Sequence, residues 1–256
     1  MSSLLTKKMK PYLIDEGHGE PIVLLYGLFG SPKNFEKLVS SFRHSYRVIV
    51  PRLPFYESGI GVNIFSLTEF LDELVEDLQL EKIHLLGNSM GGHIALLYTL
   101  KHPGKLISLT LTGSSGLFEN GMGESYPKVK DYNYIKTKTE LTFHDPAVAT
   151  KDLVDEVYET VNSRKLIYIL SLAKSAIRNN LEKQLPSIDT PCCLIWGKND
   201  TITPPAVAYE FKKLIPHSSL YWIENCGHAP MLECPEKFNT ILHHFLKEVA
   251  VSKTYQ

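Results

Sequence analysis

The chain has no block of like charge. Among its 256 residues Lys and Arg number 27 against 28 Asp and Glu, a net charge of −1. With no basic stripe there is no electrostatic footprint for nucleic acid, which is not an expected partner. Long apolar runs are also missing. The longest, such as residues 21–26 and 191–196, are strand-sized, whereas a membrane span needs about 20 apolar residues; no span is expected. The first ten residues hold Leu4 and Leu5 as their apolar pair, short of the roughly 7–15-residue apolar run of a secretory signal, so a cytoplasmic location is expected. Cysteine is scarce. Cys192 and Cys193 are adjacent and would point to opposite faces of a strand, and no disulfide framework is suggested by these with Cys226 and Cys234. Cys226 and His228 lack a second cluster at ligand spacing, so no metal is expected.

What remains is ample material for a core, with 43% hydrophobic and 21% charged residues. Two apolar runs, 10–15 and 21–26, flank the turn-rich Glu16-Gly17-His18-Gly19-Glu20, which reads as a hairpin opening a sheet. Short apolar runs without clean alternation follow at 46–50, 83–86, 106–111, 192–196 and 220–223, as in strands covered on both faces. Helical patterns lie between them. One starts at Ser66, with Glu69 in capping-box spacing and Leu67, Phe70, Leu71, Leu74, Val75 and Leu78 on one face. Another follows Pro235 and carries Phe238, Leu242, Phe245 and Leu246. Strand-helix alternation predicts an α/β domain with a mostly parallel sheet and helices on both faces. The alternation breaks between 114 and 186, where Leu153, Val154, Val157, Tyr158 and Val161 mark an amphipathic helix. A helical insertion is expected there, with 116–145 its most mobile part.

The stretch from Leu85 to Leu96 runs from a strand end through Gly87-Asn88-Ser89-Met90-Gly91-Gly92 into a helical pattern. A serine at a sharp strand-to-helix turn needs strained backbone and neighbours without side chains, which Gly87 and Gly91 supply. The bare pattern also suits a tight loop with a capping serine. A serine hydroxyl needs a histidine base, and that base needs a carboxylate to fix its tautomer. Asp200 follows the strand at 192–196, and His228 follows the strand at 220–223, both at carboxyl ends where α/β sheets gather their chemistry. Asp189 and Glu224 are rival carboxylates. His93 competes by proximity, but its place in the helix should turn it away from the hydroxyl. Glycines in Tyr26-Gly27-Leu28-Phe29-Gly30 open a turn whose Leu28 amide, with that of Met90, is positioned to hold an oxyanion.

Four motifs in this order resemble the α/β-hydrolase superfamily over nearly the whole chain: Gly27-Leu28-Phe29-Gly30, Gly87-Asn88-Ser89-Met90-Gly91-Gly92, Gly197-Lys198-Asn199-Asp200 and Cys226-Gly227-His228-Ala229-Pro230. The resemblance implies an eight-stranded sheet, a core of 1–113 and 187–256, a helical lid over 114–186, and hydrolysis without a cofactor. Asn88-Ser89-Met90-Gly91-Gly92 is similar to carbon–carbon bond hydrolases acting on ring-fission products. Tyr26 stands where the superfamily commonly has histidine, and Pro51-Arg52-Leu53-Pro54 replaces its usual Asp-Leu-Pro. The expected activity is that of a serine hydrolase on a small-molecule acyl substrate. Ser89, Asp200 and His228 are its expected catalytic residues, with Phe29, Asn88, Phe118 and Tyr158 around the substrate. Cleavage of a vinylogous diketone and a slow-turnover ligand receptor are the alternatives.

Overall fold

The computed structural model describes residues 13–56, 62–118 and 128–254. Its strands are β1 (Leu13–Gly17), β2 (Pro21–Leu25), β3 (Arg47–Pro51), β4 (Ile83–Asn88), β5 (Leu106–Thr112), β6 (Cys192–Gly197) and β7 (Ser218–Ile223). They form one sheet in the order β1-β3-β2-β4-β5-β6-β7, parallel except for β1. Seven strands stand among the described residues where the superfamily resemblance implies eight. Every residue of β4, β5 and β6 is buried, so the unbroken apolar runs are covered on both faces.

The opening hairpin is not formed. β1 pairs antiparallel with β3, and β3 lies between β1 and β2. The loop that resembles a hairpin turn packs instead against the turn leading into β3. Gly17 and Gly19 both have positive φ, and a side chain on Gly19 would come within 2.8 Å of the Ser45 carbonyl. The loop therefore runs in close contact with the turn leading into β3, the strand that lies between its two arms.

The helices are α1 (Glu36–Phe42), α2 (Ile64–Asp77), α3 (Met90–Lys101), α4 (Tyr132–Glu140), α5 (Lys151–Val161), α6 (Lys165–Arg178), α7 (Pro205–Leu214), α8 (Pro230–Glu233) and α9 (Pro235–Thr254). α2 starts earlier than the capping-box spacing at Ser66 suggests. Asn63 is the cap, its side chain accepting from the Phe65 and Ser66 amides, and the Ser66 hydroxyl receives the Asn63 amide. Ser66 is thus the third helical residue of the box and not its first. α3 packs on β4, and α2 packs on α3. α3 buries nearly its whole circumference, including Ile94, Ala95 and Leu96. The closing helix α9 seats Phe238, Leu242 and Leu246 in the main core, each such side chain contributing roughly 1.5–3 kcal/mol of burial.

Between β5 and β6 the described chain is helical and carries no strand. Residues 119–127 of the stretch expected to be most mobile lie outside the described residues, and the rest of that stretch contains α4. α4 and α5 share a small apolar cluster of Ile135, Val157 and Val161, on which Phe29 packs. α6 is fastened to α2 by the Ile64 amide donating to the Ser175 hydroxyl at 3.2 Å. The parallel register places the carboxyl ends of β2, β4, β6 and β7 along one rim, under α4 and α5.

Candidate active site

Ser89 occupies the turn between β4 and α3 with φ +53° and ψ −121°. That left-handed backbone is costly for a residue with a side chain. Four hydrogen bonds maintain it: the Ser89 amide donates to the Thr112 carbonyl at 3.1 Å, and its carbonyl accepts from Gly92, His93 and Ser115. The flanking glycines are steric necessities. A Cβ on Gly87 would collide with the backbone of Gly91 and Gly92, one on Gly91 with the Leu25 carbonyl, and one on Gly27 would sit 2.7 Å from the Ser89 Cβ. The turn after β2 and the turn after β4 therefore touch, as neighbouring strands of the sheet allow.

Asp200 and His228 meet in the structure. The His228 Nδ1 lies 2.9 and 3.1 Å from the two Asp200 carboxylate oxygens, and both residues are buried. Asp200 is itself held. One oxygen accepts from the Ile202 and Thr203 amides at 2.9 Å each, and the other accepts the Thr203 hydroxyl at 2.8 Å. With both oxygens taken by donors, the carboxylate is fixed in direction. Gly113, at the end of β5, makes the room: a Cβ there would lie 2.8 Å from the His228 Nδ1. Of the rival carboxylates, Glu224 forms an ion pair with Lys198 instead.

Other groups aim the histidine loop. The Asn88 side-chain amide donates to the Thr112 carbonyl at 3.0 Å and the His228 carbonyl at 3.1 Å. The His228 amide donates to the Thr142 carbonyl at 2.9 Å, tying the loop to the segment after α4. Glu233 spans the same joint, accepting from the Gly227 amide at 2.6 Å and the His144 amide at 2.8 Å. Its carboxylate lies with the thiols of Cys226 and Cys234 in a group whose ligand atoms are within 4.8 Å of one another. The four cysteines are free, and burial pushes the Cys226 thiol well up, so that sulfur is inert as a nucleophile.

Ser89 and His228 open into one cavity of about 140 Å³. Leu28, Phe29 and Asn88 line it too, whereas Phe118 and Tyr158 do not. Phe118 is half exposed at the surface. Tyr158 packs on Tyr132 and against the α4–α5 cluster, with its hydroxyl donating to the Lys130 carbonyl. Helical periodicity identified the apolar stripe of α5 but not which of its members face the cavity; Leu153 and Val157 do. The Leu28 and Met90 amides donate to no protein group among the described residues. Phe29, at φ +62°, continues the turn that carries Leu28.

The two departures from the superfamily pattern prove to be one contact. The Tyr26 hydroxyl accepts the Leu53 amide at 2.7 Å, and its ring meets Phe55 edge-on. Burial raises the Tyr26 phenol to about 12, so it remains protonated and props the turn from below. His93 is fully buried and lies away from the cavity lining. Sequence reasoning missed Thr203, Glu233, Asn34, Lys138 and Thr142. Only Thr203 left a local signal, a hydroxyl three residues after an aspartate, the spacing of a side-chain-capped turn.

A family profile described as alpha/beta hydrolase fold matches residues 20–147 and 160–235. Among solved structures the chain is similar to MGS-MChE2, an alpha/beta hydrolase enzyme from the metagenome of sediments of the lagoon of Mar Chica, Morocco. The two are 42% identical with a TM-score of 0.76, covering 92% of this chain and 94% of that one. Among curated proteins it is 28% identical to the 2-hydroxy-6-oxononadienedioate/2-hydroxy-6-oxononatrienedioate hydrolase of Escherichia coli, over 94% of this chain and 92% of the relative. It is 26% identical to Lipase 1 of Psychrobacter immobilis, over 84% of this chain and 73% of the relative.

Proposed function

Since the chain belongs to the alpha/beta hydrolase fold family, we propose that it is a serine hydrolase cleaving small carboxylic esters through an acyl-enzyme. Ser89 is the nucleophile, His228 the general base and then acid, and Asp200 the carboxylate that orients the imidazole. The observation that carries the reading is the strained Ser89 opening into the same cavity as an imidazole whose far nitrogen is clamped by a fully hydrogen-bonded carboxylate.

With Nδ1–H donated to Asp200, the Nε2 of His228 is left as the basic nitrogen. It takes the proton as the Ser89 Oγ attacks the ester carbonyl, and the buried carboxylate stabilises the imidazolium so formed. The carbonyl electrons move onto oxygen, where the Leu28 and Met90 amides receive the developing charge. One such donor accounts for about 10²–10³ in turnover. Collapse of the intermediate expels the alcohol, protonated by His228. Water, deprotonated by the same nitrogen, then attacks the acyl-enzyme and restores Ser89.

We assign residues 114–186 as a lid, because α4 and α5 supply one wall of the cavity while the sheet rim supplies the other. The cavity size is close to that of an engineered pocket of about 150 Å³ that accepts benzene, so the acyl group is small, a single ring or a short chain. The dienedioate hydrolase among the relatives favours carbon–carbon cleavage as a second reading. A screen of short acyl esters beside a vinylogous diketone, on the wild type and Ser89→Ala, tests both. Ser89-dependent ester turnover supports the proposal; turnover of the diketone well above that of every ester overturns it in favour of the second.

A further inference from the structure

The proposed reaction leaves one part of the cavity without a role. α4 and the turn after it turn Ile135, Lys138, Thr139 and Thr142 toward the cavity, at spacing i, i+3, i+4 and i+7 on one helical stripe. Apolar and hydroxyl side chains suit such a wall, and a lysine does not. Lys138 is partly buried, so its ammonium carries a charge into a wall otherwise built of such side chains. Lys138 forms no ion pair among the described residues, and its ammonium lies over the Tyr134 ring at 5.8 Å from the centroid. No Asp or Glu lines the cavity, and its other walls are largely apolar, with Leu153, Val157 and Leu232 among them. Asn34 lines it as well. The Asn34 carbonyl oxygen is taken by the Ser31 amide at 3.0 Å, which leaves its NH₂ group as a second donor without an acceptor among the described residues.

We propose that the cavity selects esters carrying a carboxylate, with the anionic end held by the Lys138 ammonium and assisted by the Asn34 amide. This rests on the ester-hydrolase reading and narrows its substrate class. A low-dielectric wall with one positive charge, one further unmatched donor and no acid attracts an anion and offers a neutral ligand little beyond apolar contact. The alternative for Lys138 is a stem lying along the wall with its head in solvent, and that arrangement makes no distinction by ligand charge.

The test compares two ketones that mimic the ester carbonyl and cannot be hydrolysed: 4-oxoheptanoate and its neutral isostere 7-methyloctan-4-one, titrated calorimetrically into the full chain. The expected result is that Lys138→Met lowers the affinity ratio of keto-acid to neutral ketone on the order of ten- to a hundredfold, the range for a hydrogen bond to a charged group. Lys138→Arg keeps the keto-acid preference, which separates loss of charge from a damaged fold. An unchanged ratio in Lys138→Met, or a wild type that prefers the neutral ketone, overturns the proposal. Hydrolysis of monoethyl succinate by the wild type and Ser89→Ala is followed in parallel. A wild type without preference for the keto-acid, or an unchanged ratio in Lys138→Met, with Ser89-dependent hydrolysis intact refutes only the carboxylate site, while a Lys138-dependent preference without such hydrolysis refutes only the ester-hydrolase reading.

Discussion

Acidification should weaken this protein through His93, four residues beyond Ser89 on α3. The ring is fully buried, its Nδ1 has no hydrogen-bond partner, and its Nε2 lies 3.5 Å from the Asn179 amide. Burial lowers its pKa from 6.5 to about 4, so the folded chain holds the ring neutral where the unfolded chain protonates it. Between those values the unfolded state binds more protons, and stability therefore rises with pH. The contribution is complete above about pH 6.5 and disappears as pH falls toward 4. Working the two titrations through gives a loss of about 2 kcal/mol by pH 5 and about 3 kcal/mol by pH 4 relative to neutral pH. Other groups titrate in this range, so the measurement is a difference. Urea unfolding of the wild type and of His93→Leu, similar in volume and unable to titrate, is compared at pH 7.5, 6.5, 5.5 and 4.5. The variant should gain on the wild type by about 2 kcal/mol or more across the series. Parallel pH profiles would refute the reasoning and show that the His93 ring is hydrated or paired when charged.

Tyr26→Phe deletes the acceptor for the buried Leu53 amide and should cost about 1–3 kcal/mol, the range for an orphaned buried donor; thermal unfolding measures it, and an unchanged midpoint would show that another acceptor takes over. Thr203→Val keeps shape but removes the hydroxyl that holds one Asp200 oxygen. Its kcat on a short ester should fall about tenfold, equivalent to roughly 1.4 kcal/mol and within the range for a hydrogen bond to a charged group. KM should stay near the wild-type value, and a loss confined to KM would contradict the positioning role.

How much of this was legible in the chain follows from how local each feature is. The elbow around Ser89 reads directly because its requirement for Gly87 and Gly91 falls within a few residues. The strands of the sheet core read as apolar runs because both faces are covered. The pairing of β1 did not, since β3 arrives between the hairpin arms from 30 residues away and no short-range pattern announces it. The start of α2 was misplaced because Ser66 and Asn63 share one capping box, and the sequence does not say which partner is the cap. Asp200 and His228 could be proposed from their places after β6 and β7, as parallel strands end on one rim. Thr142 and Lys138 reach that rim from α4 and the turn after it, far along the chain from Ser89, Asp200 and His228, so nothing in their own neighbourhoods marks them. Phe118 and Tyr158 show the converse: an aromatic residue in a helical insertion can as readily pack against its neighbours or face solvent as line the cavity.

The account depends on Ser89 being activated by His228. Treating the protein with a fluorophosphonate and mapping the modified peptide by mass spectrometry tests this most directly. The adduct is predicted on Ser89 in the wild type, with labelling slowed by several orders of magnitude in a folded His228→Ala variant. An adduct on another residue, or equal labelling rates in the two proteins, would contradict it.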